Sequence, residues 1–191
     1  GNEDNIDIIG EEIDKIYLDR VEKNCLLPDV IRRHSDIKIV YTPLHGTGVT
    51  LVPAILKRLG FTNVTMVKEQ AVNDGNFATV KSPNPEEKSA LEMAIALAKD
   101  IDADIVMATD PDADRVGIAV KRKDGQWILL NGNQTASVLT YYLVNQWKLN
   151  NKLAGKEFIV KTIVTSELIK DIAERNGVKS YDVLTGFKFI G

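Results

Sequence analysis

The chain has 191 residues, which allows one large domain or two small ones at roughly 100–200 residues per domain. Its apolar fraction of 44% and charged fraction of 27% are ordinary for a globular protein and exclude a disordered chain. A net charge of −3 argues against a nucleic-acid partner, and no apolar run approaches the ~18–20 residues that span a bilayer, which excludes a membrane partner.

The first part of the chain alternates helical periodicity with short apolar runs. Ile6, Ile9 and Ile13 lie at helical spacing, which predicts an amphipathic helix over 6–26. Thr50 is the predicted N-cap of the next helix. The predicted elements that follow are a strand at 37–41, a helix at 51–59 ended by Gly60, a strand at 64–68, a helix that begins at Pro85 with Asn84 as its N-cap, and strands at 104–108 and 116–120. This order is typical of a mostly parallel sheet covered by helices.

A second α/β unit follows a polar turn, and we place the domain boundary near residues 122–132. Its predicted elements are a helix at 133–147, a strand at 157–164, a helix at 168–175 that follows Ser166 and is stopped by Gly177, and a strand at 178–184. Trp127 and Trp147 follow core spacings. The sequence therefore predicts an α/β fold with a mixed, mostly parallel sheet and two consecutive units, residues 1–125 and 126–191.

The strongest chemical signal is Asp110-Pro-Asp112-Ala-Asp114-Arg115, which directly follows a predicted strand. Three carboxylates in one tight loop repel each other, so we expect a cation between them. Oxygen ligands favour a hard cation, Mg²⁺ before Mn²⁺ or Ca²⁺. The carboxyl ends of strands in open α/β sheets are ligand sites, and the adjacent Arg115 suggests a phosphate partner.

The acidic loop has other interpretations besides a magnesium site. An EF-hand needs Gly at position six and Glu at position twelve, where this chain has Arg115 and Lys121, so it is excluded. A haloacid-dehalogenase-type phosphatase would use Asp110 and Asp112 as nucleophile and acid/base, although Asp114 replaces that family's small hydroxyl or β-branched residue. A solvated acidic turn, or a non-catalytic module that binds a metal or a sugar phosphate, also stays open.

Residues outside the acidic loop give weaker signals. His45 is predicted to stabilise its loop by a hydrogen bond rather than to act as an acid or base, and His34 is predicted to be exposed. The segment 46–48 favours a tight structural turn over a phosphate cradle. Cys25 is the only cysteine, which excludes an internal disulfide, and no secretory signal is visible, so we expect a cytoplasmic location. The ends of the chain suggest a piece excised from a longer protein.

The acidic loop resembles the metal-binding loop of the α-D-phosphohexomutases, the phosphoglucomutase/phosphomannomutase superfamily. Three further segments resemble other segments of that family and occur in the expected order: Tyr41-Thr-Pro-Leu-His-Gly-Thr-Gly48, Ser82-Pro-Asn-Pro-Glu86 and Leu184-Thr-Gly-Phe-Lys-Phe-Ile-Gly191. Together the segments cover nearly the whole chain from about residue 37 onward. The resemblance implies an enzyme that moves phosphate between the C1 and C6 oxygens of a hexose phosphate, through a phosphoserine and a hexose 1,6-bisphosphate intermediate.

The resemblance also assigns roles to residues. It implies that Asp110, Asp112 and Asp114 bind Mg²⁺, and that Arg115 is the catalytic and substrate-binding residue that contacts the phosphoserine or the bisphosphate. It implies a sugar-facing loop formed by Thr185, Gly186, Phe187 and Lys188. Without the family match, Lys188 would be an ordinary solvated lysine.

Several family segments are absent from this sequence. These are the Ser-His-Asn-Pro segment with the phosphorylated serine, the Gly-Glu-Glu-Ser-Gly sugar-specificity loop and the phosphate loop of the fourth domain. Ser82-Pro-Asn-Pro85 lacks the histidine of the first. The chain is therefore expected to be domain 2 with part of domain 3, inactive alone, with sugar phosphates and the missing domains 1 and 4 as partners. Preference among glucose, mannose and pentose phosphates is left open.

Overall fold

A computed structural model of the chain describes residues 6, 7 and 9–190, and its contacts divide it into two compact units after Leu129. Each unit combines strands with helices, as predicted. The elements in chain order are α1 (Glu11–Glu22), α2 (Pro28–Arg33), β1 (Lys38–Thr42), α3 (Gly48–Leu59), β2 (Asn63–Met66), α4 (Glu92–Asp100), β3 (Ile105–Thr109), β4 (Val116–Lys121), β5 (Trp127–Leu130), α5 (Gly132–Leu149), β6 (Phe158–Thr162), α6 (Glu167–Arg175) and β7 (Lys179–Val183).

The first unit contains a mixed, mostly parallel sheet with the strand order β2-β1-β3-β4-β5. β1 pairs in parallel with both β2 and β3, with Val40 opposite Thr65 on one side and Val106 on the other. β4 pairs antiparallel with β3, from Ile105 opposite Val120 to Thr109 opposite Val116. The chain therefore leaves β3 at its carboxyl end, turns through residues 110–115 and returns directly as β4.

The core of this unit lies between the sheet and α4. Val40 and Val106 are fully buried in the centre of the sheet. Ala94 and Ala98 are four residues apart, so they share one face of α4, and both are fully buried in the same cluster. Because alanine side chains are small, this face lets the helix backbone approach the sheet closely.

The predicted helix start at Asn84 and Pro85 is wrong. α4 begins at Glu92, and residues 84–87 form a turn in which Asn84 Oδ1 accepts a hydrogen bond from the Glu86 N–H at 3.0 Å. The turn is pressed against β4, since a Cβ on Gly117 would lie 2.0 Å from the Pro85 carbonyl oxygen. The asparagine therefore closes a local side-chain turn instead of capping a helix.

Two other helix boundaries also differ from the prediction. α3 begins at Gly48 with Thr47 in the N-cap position, so Thr50 is not the cap. The predicted helix over 6–26 is shorter, Glu11–Glu22, and buries only Leu18 among its described residues, while the isoleucines of its apolar pattern are exposed. The pattern indicated the helix correctly, but the main packing partner of α1 is α3 and not the sheet. The short elements α2 and β5 were not predicted.

The second unit contains a two-stranded parallel sheet, β6 and β7, with α5 and α6. Ser166 caps α6, and its hydroxyl accepts a hydrogen bond from the Leu168 N–H. The predicted core position of Trp147 is wrong, because the side chain is 39% exposed and lines an open apolar groove of about 530 Å³ beside Phe158. Trp127, in the first unit, does pack against the core. No helix among the described residues is long and apolar enough to cross a membrane.

Candidate metal centre

Asp110 is the first residue after β3, and its carboxylate is buried, with 1% of the residue surface exposed. Its Oδ1 accepts a hydrogen bond from the Arg115 backbone N–H at 2.9 Å, and its Oδ2 accepts one from Arg115 Nε at 2.7 Å. Ala113 occupies the left-handed backbone region with φ 59°, and its N–H donates to the Asp110 carbonyl at 3.0 Å. These contacts close residues 110–115 into a compact turn at the carboxyl end of the strand.

The turn brings the three predicted metal ligands together. Asp110, Asp112 and Asp114 each offer a carboxylate oxygen, and these three atoms lie within 4.8 Å of one another. Asp112 and Asp114 are exposed, so one side of the cluster is open to solvent. The arrangement suits a hard divalent cation, because Mg²⁺ binds carboxylates and keeps several water ligands.

The charges of the cluster shift its pKa values in opposite directions. Burial acts to raise the pKa of Asp110, but the hydrogen bonds from Arg115 outweigh it and hold the pKa below its usual value. The neighbouring carboxylate of Asp110, and then that of Asp112, raise the pKa of Asp114. Arg115 therefore neutralises one carboxylate, and the repulsion that is left is what a bound cation would relieve.

The loop between β1 and α3 packs against this turn. A Cβ on Gly46 would lie 2.2 Å from the Cα of Pro111, so only a glycine lets the two backbones approach this closely. The Thr47 N–H and the Thr47 hydroxyl both donate to the Pro111 carbonyl, at 2.8 and 3.1 Å. Residues 46–48 thus act as a tight structural turn, the favoured of the two predictions for them.

His45 anchors the other side of the same loop. Its Nδ1 lies 3.1 Å from the Val72 carbonyl, its Nε2 lies 2.8 Å from Thr79 Oγ1, and its backbone N–H donates to the Gln70 carbonyl at 2.9 Å. The residue is buried with φ 66°. The prediction that His45 stabilises its loop is confirmed, and so is the exposure of His34.

The fourth sequence segment lies in the second unit, after β7. Thr185 is exposed, Gly186 has φ 131°, and a short 3₁₀ helix begins at Phe187. Phe187 is 83% exposed, and Lys188 Nζ lies 5.0 Å from the centre of the Phe189 ring. Gly191, the last residue of this segment, lies outside the described residues.

Lys161 is a buried charged residue that the sequence analysis missed. It lies near the carboxyl end of β6, and its Nζ donates to Asp182 at 2.7 Å, to Glu167 at 2.8 Å and to the Thr165 carbonyl at 3.1 Å. Its pKa is raised, first by Asp182 and then by Glu167. A lysine in an otherwise apolar strand was the available signal, but its partners lie 6 and 21 residues further along the chain, which local periodicity cannot reveal.

The acidic loop after a parallel strand of a mixed sheet defines the class: an α/β protein with a candidate ligand site beyond its strand ends. Two family models match the chain, namely phosphoglucomutase/phosphomannomutase alpha/beta/alpha domain II over residues 15–125 and domain III over residues 131–191. The chain therefore belongs to the phosphoglucomutase/phosphomannomutase family.

Similar proteins of known name are much longer than this chain. A phosphoglucomutase of Staphylococcus haemolyticus (strain JCSC1435) is 42% identical over 156 residues, which are 82% of this chain and 28% of that protein. A phosphoglucomutase of Staphylococcus aureus (strain N315) is 44% identical over 157 residues, again 82% of this chain and 28% of the relative. The chain thus spans just over a quarter of these relatives.

Solved structures share the fold. A phosphoglucomutase/phosphomannomutase family protein from Burkholderia thailandensis matches with a TM-score of 0.68 and 21% identity, over 93% of this chain and 34% of that one. An N-acetylphosphoglucosamine mutase from Aspergillus fumigatus, solved with GlcNAc-6P and magnesium, matches with a TM-score of 0.55 and 15% identity, over 81% of this chain and 32% of that one.

Proposed function

We propose that this chain supplies the metal centre and part of the sugar-facing surface of an enzyme that interconverts hexose 1-phosphate and hexose 6-phosphate. In this proposal phosphate passes between a phosphoserine outside the chain and the sugar, through a hexose 1,6-bisphosphate. The observation that carries the proposal is the meeting of three aspartate oxygens within 4.8 Å, beside Arg115, in a chain of this family. The 191 residues alone are expected to have no mutase activity.

The donor set of the acidic loop fits Mg²⁺. Asp110, Asp112 and Asp114 offer only oxygen atoms, and the exposed side of the cluster leaves room for water and phosphate ligands. When bound, Mg²⁺ would supply positive charge that stabilises the transferring phosphoryl group. The magnesium in the Aspergillus fumigatus mutase agrees with this choice of metal.

The chain's own residues would orient the phosphate groups. Arg115 is held through Nε by Asp110, and its side chain is 54% exposed, so its terminal N–H groups can bind a phosphate with a fixed orientation. In the second unit, Lys188 and the backbone of Gly186 would contribute contacts to the sugar or its distal phosphate. The exposed ring of Phe187 would offer an apolar face to the same ligand.

The contacts of Asp110 disfavour the phosphatase alternative. A haloacid-dehalogenase-type phosphatase would need this carboxylate as its nucleophile. Here the residue is 1% exposed, and both oxygens accept hydrogen bonds from Arg115. A carboxylate whose charge is shared with a guanidinium is a weak nucleophile, although each oxygen keeps a second lone pair that a cation can use.

Metal binding to the chain is the first test. The amide signals of residues 110–115 would be followed by NMR during titration with Mg²⁺, for the native chain, Asp112→Asn and Asp100→Asn. Asp100 is an exposed aspartate at the carboxyl end of α4, at the opposite edge of the sheet, so its variant matches the charge change. We expect native and Asp100→Asn chains to bind equally and Asp112→Asn to bind at least about tenfold more weakly. If the native chain and both variants bind Mg²⁺ equally well, Asp112 is not a metal ligand and the proposed metal centre is wrong.

Activity requires the rest of the enzyme. The matching stretch of the Staphylococcus aureus (strain N315) phosphoglucomutase would be replaced by this chain, and the chimera assayed with glucose 1-phosphate, a bisphosphate activator and Mg²⁺. We expect isomerisation, and a loss of at least about 100-fold in kcat for Asp112→Asn, since a bound metal contributes several kcal/mol to transition-state stabilisation. Release of inorganic phosphate without isomerisation would support the phosphatase alternative. If the folded chimera binds Mg²⁺ but shows no turnover, the mutase proposal is wrong. The non-catalytic module that binds a metal or a sugar phosphate is then the alternative that fits.

A further inference from the structure

Thr47 makes two hydrogen bonds with the acidic loop. Its backbone N–H and its side-chain hydroxyl both donate to the same carbonyl oxygen, that of Pro111, at 2.8 and 3.1 Å. Pro111 lies between Asp110 and Asp112, the first two residues of the carboxylate cluster. Thr47 belongs to a different loop, which is 64 residues away in the sequence.

The position of this carbonyl determines the course of the backbone into Asp112. A peptide group is planar, so the Pro111 carbonyl and the Asp112 nitrogen and Cα lie in one plane. Two donors on one oxygen resist rotation of that plane more than a single hydrogen bond would. Asp110 is held separately, by its own contacts with Arg115. The two carboxylates are therefore held by different interactions: Asp110 by Arg115, and Asp112 by the hydrogen bonds from Thr47 to the preceding peptide group.

Thr47 is itself held in place by the buried contacts of its loop. Gly46, the residue before it, lies in backbone contact with Pro111. His45, one residue earlier, is tied to Val72 and Thr79 through both ring nitrogens. The hydroxyl of Thr47 thus projects from a segment with little freedom, as a residue that supports a metal ligand should.

We propose that Thr47 is a positioning residue of the metal centre: its hydroxyl orients the Pro111 peptide and so presets the place of the Asp112 carboxylate for Mg²⁺. This inference rests on the proposed function, since it concerns the affinity of the same metal site. The carboxylates of the loop are already held close together before Mg²⁺ binds. The loop therefore loses less conformational freedom on binding, and its affinity for Mg²⁺ is higher than that of a free loop.

The chain offers a matched control for this contact. Thr62, which precedes β2, also donates its N–H and its hydroxyl to one carbonyl, that of Ser35, at 2.9 and 3.0 Å. β1 and β2 are parallel, and this pair lies at the edge of the sheet where they begin, whereas the acidic loop lies at the edge where they end. Thr62→Val and Thr47→Val therefore remove the same hydroxyl from the same kind of pair, one far from the metal ligands and one beside them.

The test is a Mg²⁺ titration of the 191-residue chain, followed by the amide signals of residues 110–115, with thermal unfolding measured for each variant. We expect Thr47→Val to raise the dissociation constant about tenfold, and Thr47→Ser, which keeps the hydroxyl, to stay within about twofold of the native chain. Thr62→Val is expected to bind Mg²⁺ as the native chain does, while both valine variants show similar changes in unfolding temperature.

Each alternative result has a separate meaning. If the native chain binds Mg²⁺ and Thr47→Val binds it equally well, Thr47 has only a structural role and the inference is wrong, although the proposed function stands. The same conclusion follows if Thr62→Val weakens binding as much as Thr47→Val does. If the native chain shows no response to Mg²⁺, the metal centre fails, and the role of Thr47 fails with it.

Discussion

In the first unit, the loop after β3 is supported by a neighbouring loop and by its own ion pair, whereas the loop after β7 in the second unit is closed by two backbone hydrogen bonds of its own. Those two bonds run from Phe189 N–H to Gly186 and from Ile190 N–H to Phe187, at 3.0 and 2.9 Å. The corresponding support of the acidic loop includes Thr47 and the buried Asp110. Both loops follow a parallel strand, so their place in the fold is the same, and among the described residues the contacts that hold them differ.

This difference matches the work proposed for each loop. Three like charges must be held close against their repulsion, which requires a rigid frame. A loop that meets a sugar through an exposed aromatic ring and a lysine can adjust when the ligand binds, and loops of that kind are usually the less stable parts of a protein.

Gly46→Ala should have the largest effect. The added Cβ would lie 2.2 Å from the Pro111 Cα. To relieve this overlap, the backbone of the Gly46 loop or that of the acidic loop would have to shift. We expect the free energy of unfolding to fall by about 3 kcal/mol, measured by urea denaturation. Gly75→Ala is the control, since nothing lies within 4 Å of its added Cβ. Equal stability of the two variants would show that the loops are not locked together.

Lys161→Met tests the main buried charge of the second unit. The side chain is 3% exposed, and its loss leaves Asp182 and Glu167 without their shared cation. Because both carboxylates are partly exposed, water can replace some of the interaction, and we expect a loss of about 2 kcal/mol. Lys179→Met, at an exposed position on β7, should change stability by less than about 0.5 kcal/mol. A neutral effect of Lys161→Met would mean that strand pairing and packing hold β6 to β7 without this ion pair.

Asp110 in the first unit and Lys161 in the second should titrate at opposite ends of the pH scale. The pKa of Asp110 lies below its ordinary 3.8, so its ionised form contributes stability above that pH, and the contribution is lost as pH falls through the folded-state value. The pKa of Lys161 lies above its ordinary 10.5, so its contribution is present below that pH and is lost as pH rises through the folded-state value.

These two titrations can be followed separately by the carbon-13 signals of the Asp110 carboxyl and the Lys161 Cε. The expected midpoints lie below 3.8 and above 10.5. Asp114 has a raised pKa and should titrate before Asp110 as the pH falls. A reversed order of the two aspartates would show that Arg115 does not pair with Asp110 in solution.

Phe187→Ala should have the smallest effect on folding. The ring is 83% exposed, so its removal takes little apolar surface out of a packed environment. We expect the free energy of unfolding to change by less than about 0.5 kcal/mol in the same urea experiment. A loss above about 1 kcal/mol would show that the loop after β7 is packed more firmly than its exposure indicates.

The sequence was sufficient for the parts of the fold that local pattern determines. The order of strands and helices in the first unit and the clustering of Asp110, Asp112 and Asp114 follow from short-range spacing. Contacts between segments that lie far apart in the chain could not be predicted from the sequence. The turn at Asn84 has a good helix-cap sequence, but its conformation depends on Gly117, 33 residues later. The same limit hid the partners of Lys161 and the pairing of Thr47 with Pro111.

The site residues divide in the same way. Their types and spacing predicted that Asp110, Asp112 and Asp114 lie together, which the structure confirms, while their role as metal ligands stays a prediction. The sequence indicated that Gly46 belongs to a tight turn. Only the structure reveals that this turn packs directly against the backbone of Pro111. The roles of Thr185, Gly186, Phe187 and Lys188 toward a sugar, and of Arg115 toward a phosphate, stay predictions.

The backbone contact between Gly46 and Pro111 also has a consequence for protein engineering. A hexapeptide with the sequence of residues 110–115, moved to the end of a strand in another α/β scaffold, would lose the neighbour that shapes it. The smallest transferable form of the proposed metal site is therefore two loops on adjacent parallel strands, residues 42–48 and 109–116, spaced by the β1–β3 register. A graft of this two-loop cassette should keep metal affinity that the acidic hexapeptide alone does not carry.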